Sequence, residues 1–292
     1  MRIAIYSRGI ENNQLEDIEL LISVLLKHGA EPVFYQDFFN QFYSAVELEG
    51  KYSTFNSSTD MDSSIDCLIS LGGDGTMLDT VTLVRDTGIP VLGINYGRLG
   101  FLANIGRDEI DSAVEALVER KYVLDKRTLL HLDANQSLFG DVPYALNEFT
   151  LHKSDTSPMI KIHTYLNGEF LNTFWADGLI VATPTGSTGY SLSCNGPVVF
   201  PDSASFVITP VSPHNLNIRP IIVPDNNVVS FEVEGRTDNF ICSMDSRREL
   251  VSKEIQLAVK KEDFGINLIR LNENNFLQTL RNKLSWGLDK RN

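Results

Sequence analysis

The chain has 292 residues, 42% of them hydrophobic and 22% charged, a length and balance suited to two folded domains with real cores. Its formal net charge of −13 disfavours nucleic acid or an anionic membrane as partner, while leaving room for an anionic small ligand met by backbone amides, placed cations or a metal ion. Cys67, Cys194 and Cys242 are too sparse for a disulfide framework or a zinc cluster, no run reaches the roughly 18 apolar residues of a membrane span, and the first residues read as a strand rather than a signal peptide, so a cytoplasmic protein is expected.

Residues 2–6 are apolar and β-prone. Leu15, Ile18, Leu21, Ile22, Leu25 and Leu26 then recur at helical spacing, with Gly29 as the stop. Residues 33–35 form a short strand, and the Ser-, Thr- and Asp-rich stretch 50–64 reads as a mobile surface loop. Residues 66–71 are a strand of the buried type that runs directly into Gly72-Gly73. Met77, Leu78, Val81 and Val84 mark the next helix, residues 90–94 another strand, and Ile110, Ala113, Val114 and Leu117 a helix face with Asp108 as its N-cap. Strands alternating with helices predict a parallel sheet.

The pattern changes near Lys126. From there to about residue 272 strand signals dominate, including segments 228–234, 240–244 and 254–260. Asn167-Gly168, between segments 160–165 and 170–175, supplies the positive φ angles of a type I′ hairpin turn. Phe276, Leu277, Leu280 and Leu284 return to helical spacing. The expected architecture is an α/β domain with a Rossmann-like parallel sheet over 1–125 and a β-rich, β-sandwich-like domain over 126–272, with a terminal helix in 273–292 that packs back on the first domain.

The sharpest local feature is Gly72-Gly73-Asp74-Gly75-Thr76, between a strand and a helix. Glycines let backbone approach a ligand, and the helix start offers free N–H groups and partial positive charge to phosphate. Asp74 would repel phosphate, so it makes sense if it holds Mg²⁺ or takes a proton from an attacking hydroxyl. The bland alternative is a tight turn with Asp74 as N-cap. Neither the P-loop pattern nor the Rossmann glycine fingerprint fits.

This pentapeptide resembles the motif shared by NAD kinases, diacylglycerol and sphingosine kinases and, more distantly, phosphofructokinases. Further segments in the same order resemble the NAD kinases in particular: GINYGRLGFL at 93–102, Asn147-Glu148, ADGLIVATPTGSTGYSLS at 176–193, NLNIRP at 215–220, and Met244-Asp245-Ser246-Arg247. The resemblance is strong over about residues 65–250. It departs at Gly189, where alanine is frequent, at Cys194-Asn195-Gly196-Pro197, at Trp175, where polar residues are common, and at Arg247, often glutamine in bacterial members.

The resemblance implies a kinase that phosphorylates the 2′-hydroxyl of the adenosine ribose of NAD with ATP or another phosphoryl donor. It implies Asp74 as the catalytic group, and Gly72, Gly73, Gly75 and Thr76 as the donor-phosphate cradle. NAD is expected to meet Asp74, Gly75, Asn147, Glu148, Asp177, Thr188, Gly189, Tyr190, Ser191, Leu192, Ser193 and Arg247, with Asp245 nearby. A divalent cation, Mg²⁺ or Mn²⁺, is expected because carboxylates and two anionic substrates otherwise repel; its protein ligands are left open. A homodimer or homotetramer through the β-rich domain is also implied. A lipid kinase and a non-catalytic NAD- or NADP-sensing module are the rival readings.

Overall fold

The opening apolar run becomes β1 (Arg2–Tyr6), a central strand buried along its middle in the computed structural model, which describes residues 1–9, 14–43, 51–154, 158–271 and 276–286. The chain separates into two units: unit 1 is residues 1–126 with 266–292, and unit 2 is residues 127–265.

In unit 1, β1 is followed by α1 (Leu15–Lys27), β2 (Glu31–Tyr35), α2 (Gln36–Phe42), β3 (Ser53–Phe55), β4 (Cys67–Leu71), α3 (Asp74–Val84), β5 (Val91–Ile94) and α4 (Ile110–Val118). The strands pair in parallel in the order β5-β4-β1-β2-β3, with Ile5 opposite Ile69 and Leu71 opposite Ile94. Continuous apolar strands suit a parallel sheet covered by helices. Ile5, Ile69 and Leu92 meet Leu21 and Leu25 of α1 and Val114 of α4 in one buried cluster. α1 stops where Gly29, at φ +72°, takes the left-handed conformation that glycine adopts without strain.

Two local expectations are corrected. The stretch 50–64 is not all loop: Ser53–Phe55 pairs in parallel with β2 and buries Phe55, an aromatic anchor that the polar composition concealed. Residue 50 itself lies outside the described residues. Asp108 does not cap α4. It sits within a 3-10 turn (Arg107–Glu109), and Glu109 Oε2 accepts from the amide of Gly106, 2.9 Å away.

Unit 2 is built from strands: β6 (Val123–Ala134, which begins in unit 1), β7 (Tyr144–Ala145), β8 (Glu148–Lys153), β9 (Ile160–Leu166), β10 (Glu169–Ala176) and β11 (Gly178–Ala182) come first. One helical turn, α5 (Tyr190–Ser193), interrupts them before β12 (Ser205–Val211), β13 (Ile221–Pro224), β14 (Val229–Glu234), β15 (Asn239–Met244), β16 (Arg247–Ser252) and β17 (Leu257–Arg270, which ends in unit 1). Six strands form an antiparallel sheet in the order β13-β12-β11-β8-β15-β16, and β10-β9-β14-β17 form a second antiparallel ladder. Phe149, Phe206 and Phe240 from the first sheet and Ile162, Phe174 and Phe231 from the second fill one core, with Phe149 and Phe231 stacked at 5.5 Å. The hairpin joining β9 to β10 has Asn167 at φ 50° and Gly168 at φ 83°, as the Asn-Gly pair predicts.

The tail forms α6 (Phe276–Leu284) in unit 1, where Leu280 is buried and Lys283 Nζ donates to the carbonyl of Leu99 at 2.5 Å. Residues 272–275 and 287–292, which the expected terminal helix spans in part, lie outside the described residues. No helix among the described residues is long and apolar enough to cross a membrane.

Candidate functional site

In unit 1 the carboxyl ends of β1, β4 and β5 lie side by side because the strands are parallel, which is where open α/β sheets bind ligands. The glycine-rich motif spans the join of β4 to α3: Gly72 and Gly73 make the turn, and Asp74, Gly75 and Thr76 begin the helix. Gly72 needs to be glycine for two reasons: its φ is +143°, and an added Cβ would stand 2.5 Å from Thr76 Oγ1. Gly73 is the N-cap in an ordinary extended conformation, and Asp74 is the first helical residue rather than the cap. The amides of Asp74 and Gly75 open the helix and so have no partner within it.

The Asp74 carboxylate is held from another segment. Its Oδ2 accepts from the amide of Phe101 at 2.8 Å, and its Oδ1 from those of Leu102 and Ala103 at 2.9 and 3.0 Å. Gly100 lies so close that a Cβ there would fall 1.8 Å from Asp74 Oδ1. The GINYGRLGFL segment is thus the cradle of the motif's acid. Asn95 shapes it, donating to the carbonyl of Arg98 at 2.8 Å and accepting from the amide of Gly97 at 2.9 Å.

A cavity of about 410 Å³ opens beside the turn, with Gly72, Gly73, Thr76 and Asn95 in its wall. Ser7, Arg8 and Gly9, which follow β1, also line it. Arg8 was not singled out from the sequence. The signal that would have found it is positional: it stands just past the end of a strand whose parallel neighbour carries the glycine turn. Its Nη2 donates to the carbonyl of Gly75 at 2.9 Å and to Asp79 Oδ1 at 2.7 Å, while Nε donates to Asp79 Oδ2.

In unit 2 the alternation of β8 and β15 builds a second cavity. Phe149 and Leu151 face the core with Phe240 and Cys242, so Glu148, Thr150 and His152 emerge on the opposite face beside Ile241 and Ser243. With Lys153, Tyr190, Asp245 and Arg248 they line about 440 Å³. Tyr190 stacks on His152, ring centroids 5.7 Å apart and 17° between planes. Burial holds the His152 imidazole below its usual range and therefore neutral near pH 7.

Asp245 sits in the β15–β16 turn at φ 53°, a conformation aspartate tolerates better than most residues. Its Oδ2 accepts from the amide of Leu146 at 2.8 Å, and Oδ1 from those of Asn147 and Glu148 at 2.8 and 3.1 Å. Burial raises its carboxyl above the usual carboxylate range even so. Burial, and next the charge of Asp245, push Glu148 up to about 8, against a hydrogen bond from the Tyr190 backbone that lowers it. At neutral pH Glu148 therefore presents a carboxylic acid, which donates as well as accepts. Its Oε2 is buried and has no hydrogen-bond partner among the described residues.

The remaining predicted residues divide. Asn147 abuts the 186–189 turn: a Cβ on Gly186 would lie 2.1 Å from its carbonyl oxygen, and one on Gly189 3.5 Å from its Nδ2. Asp177 pairs with Lys153 at 2.7 Å. Thr188 turns its hydroxyl to the carbonyl of Thr185 at 3.2 Å. Ser191 is buried, its Oγ 2.8 Å from Thr209 Oγ1, so its hydroxyl is committed to the fold. Leu192 and Ser193 belong to α5 but do not line the cavity. Arg247 is not brought there either: its guanidinium donates to the carbonyls of Val142 and Tyr144 and lies over the Phe139 ring, while Arg248 faces the cavity. Trp175 stacks on His214 at 4.5 Å, outside this cavity. Among the described residues no three His, Cys, Asp or Glu side chains gather to hold a metal ion.

Comparison with known proteins matches residues 26–122 to the ATP-NAD kinase N-terminal domain and residues 146–271 to the ATP-NAD kinase C-terminal domain. The chain is 48% identical to an NAD kinase of Cytophaga hutchinsonii and 46% identical to one of Flavobacterium psychrophilum, in each case over 100% of both chains. Its fold is similar to that of a yeast NADH kinase solved with NADH, with a TM-score of 0.89 at 23% identity, covering 99% of this chain and 88% of the other. It is also similar to an Archaeoglobus fulgidus NAD kinase solved with ATP, with a TM-score of 0.74 at 22% identity over 98% and 99%.

Proposed function

The chain belongs to the NAD kinase family, and from that premise we propose which of its side chains hold the substrates and guide the transfer. The reaction moves the terminal phosphoryl group of ATP, or of another donor, to the 2′-hydroxyl of the adenosine ribose of NAD, giving NADP. A new bond forms between the 2′-oxygen and phosphorus, the bridging P–O bond of the donor breaks, and the hydroxyl proton leaves.

In unit 1, Gly72, Gly73, Gly75 and Thr76 receive the donor phosphates at the start of α3, where unpaired amides and the helix dipole favour negative charge. Asp74 orients the 2′-hydroxyl by accepting its hydrogen bond and takes its proton as the phosphoryl group arrives. Three amides fix the carboxylate in place, and phosphoryl transfer asks chiefly for positioning and charge neutralisation. In unit 2, Glu148 with Asn147 meets ribose hydroxyls and Tyr190 offers its ring face to a base. Asp177, Thr188 and Gly189 border that site. Ser191 shapes it through its hydroxyl bond to Thr209, Leu192 and Ser193 through the helical turn they share with Tyr190, and Arg247 through the 142–144 segment it ties down.

The donor's divalent cation, Mg²⁺ or Mn²⁺, neutralises phosphate charge when bound. The acids at the turn do not form a cage for it: Asp74 is held by amides and Asp79 by Arg8. Gly72, Gly73, Gly75 and Thr76 would therefore hold it indirectly, by holding the donor phosphates whose charge it would offset. The three free thiols support a reducing compartment such as the cytoplasm. Phe170, Trp175 and Leu216, exposed apolar side chains of unit 2, support self-association as a homodimer or homotetramer, to be read by light scattering.

The observation that carries the reading is the Asp74 carboxylate fixed at the first turn of α3 among the glycines. Purified protein given NAD, ATP and Mg²⁺ is expected to form NADP, detected with an NADP-specific dehydrogenase. EDTA is expected to stop the reaction and Mn²⁺ or Mg²⁺ to restore it. Absence of NADP with every metal and donor tried would refute the assignment.

A further inference from the structure

The cavity of unit 1 has one charged side chain in its wall among the described residues, and it is the cation Arg8. In a chain of net charge −13, a site walled by glycine backbone, neutral side chains and a single guanidinium offers N–H donors and no acid to a ligand. That guanidinium is also fixed. Asp79, one turn along α3, accepts from both Nε and Nη2, and Tyr6 OH adds a third hydrogen bond to Asp79 Oδ2 at 3.1 Å. Nη2 is tied in addition to the carbonyl of Gly75. Nη1 takes no hydrogen-bond partner among the described residues, and it would stand 3.3 Å from a Cβ placed on Gly75.

Gly75 has an ordinary helical φ, so backbone conformation does not explain it. The guanidinium lies over it: a Cβ there would be in tight contact with Nη1, and Arg8 would have to yield by a few tenths of an ångström. The short glycine turn and the residue after β1 are therefore one device, joined by the parallel pairing of Tyr6 with Ser70.

We propose that Arg8 is the residue that binds the triphosphate of the phosphoryl donor, through the Nη1 edge of a guanidinium that Asp79 and Tyr6 position. This rests on the kinase reading and deepens it, naming the triphosphate group, in a nucleotide or in inorganic tripolyphosphate, as what this cavity recognises. Arginine suits the task because its planar fork can bind Asp79 on one edge and phosphate oxygens on another. Asp79 and Tyr6 are positioning residues.

The test is calorimetric titration of the full chain with Mg²⁺-tripolyphosphate and, separately, Mg²⁺-ATP, with steady-state kinetics alongside. Arg8→Gln removes the charge and the Nη1 edge while keeping a polar side chain with an amide donor. It is expected to weaken both triphosphates by the same factor, about 10- to 100-fold for a lost charged hydrogen bond, and to raise KM for ATP while KM for NAD stays within about twofold. Asp79→Asn is expected to give a smaller loss in the same direction. Unchanged affinity for tripolyphosphate in Arg8→Gln overturns the proposal, and so does a loss confined to ATP, which would assign Arg8 to the nucleoside. If Arg8→Gln fails to fold, the wild-type chain decides: tripolyphosphate is expected to protect Arg8 from phenylglyoxal, and no protection overturns the proposal. A chain that binds tripolyphosphate through Arg8 yet forms no NADP breaks the kinase reading alone. A chain that forms NADP with Arg8→Gln unaffected in both readouts breaks this proposal alone.

Discussion

Asp74 in unit 1 and Asp245 in unit 2 are gripped in the same way, each by three backbone amides. Phe101, Leu102 and Ala103 donate to the first at 2.8–3.0 Å, and Leu146, Asn147 and Glu148 to the second at 2.8–3.1 Å. Their surroundings differ. Asp74 stands at a helix start, where the free amides and the helix dipole lie beside it. Asp245 faces a second carboxyl, Glu148, and burial there outweighs the same three hydrogen bonds, so both acids are shifted upward. The comparison teaches that one grip serves two surroundings: at Asp245 the three amides position the carboxyl without setting its proton affinity, because burial outweighs them.

The largest expected effect comes from removing the charge in unit 1. Asp74→Asn is expected to lower kcat for NADP formation by about 10²–10⁴-fold while circular dichroism still reports a folded chain. Near-wild-type turnover would take Asp74 out of the chemistry and leave the two aspartates alike as structural anchors. In unit 2, Asp245→Asn turns an amide N–H₂ towards backbone N–H donors. A stability loss of about 1–3 kcal/mol is expected in denaturant titration, with a weakened affinity for NAD and little change in kcat. A kcat collapse like that of Asp74→Asn would erase the distinction drawn between them.

The third test is pH dependence. Glu148 titrates at about 8 in the folded chain against an ordinary 4.5, so between those values the folded chain holds a proton that the unfolded chain has released. Its contribution to stability is complete below about pH 4.5 and is lost as pH rises through about 8, with a slope of up to about 1.4 kcal/mol per pH unit. Glu148→Gln is expected to flatten the stability profile across that window; an unaltered profile would show the carboxyl to be solvated. The smallest effect is expected at Gly189, where an added methyl would meet Glu148 Oε2 at 3.2 Å and the carbonyl of Gly186 at 3.3 Å. Gly189→Ala is expected to cost about 1 kcal/mol or less, with KM for NAD within about threefold. A larger loss would mean that the Glu148 side cannot yield.

Much of the fold was legible because burial imposes a period on the chain. The helical spacing of Leu21 and Leu25, the buried run of β4, the Asn167-Gly168 turn and the stop at Gly29 are local consequences of local residues. Phe55 was missed because one buried aromatic in a polar stretch carries no period, and Asp108 because a capping side chain has the same composition whether or not it caps. At the candidate sites the motifs gave residue types but not partners. The sequence marked Asp74 and residues 93–102 as separate features, whereas their purpose is each other.

The sequence by itself determined most of the alternation of strands and helices in unit 1, the change from a helix-covered to a strand-built region, the stop at Gly29 and the Asn167-Gly168 turn, and the family. Those follow from short-range sterics, from the periodicity of apolar residues and from a collinear set of motifs. Only the tertiary structure decided that Arg8 meets Gly75 across 67 positions of sequence, that Gly100 must leave room for Asp74, that Arg247 faces a loop while Arg248 faces the cavity, and that Glu148 keeps its proton. Hydrogen-bond geometry and desolvation are set by whatever the fold brings alongside a group, and the neighbours along the chain carry no record of it.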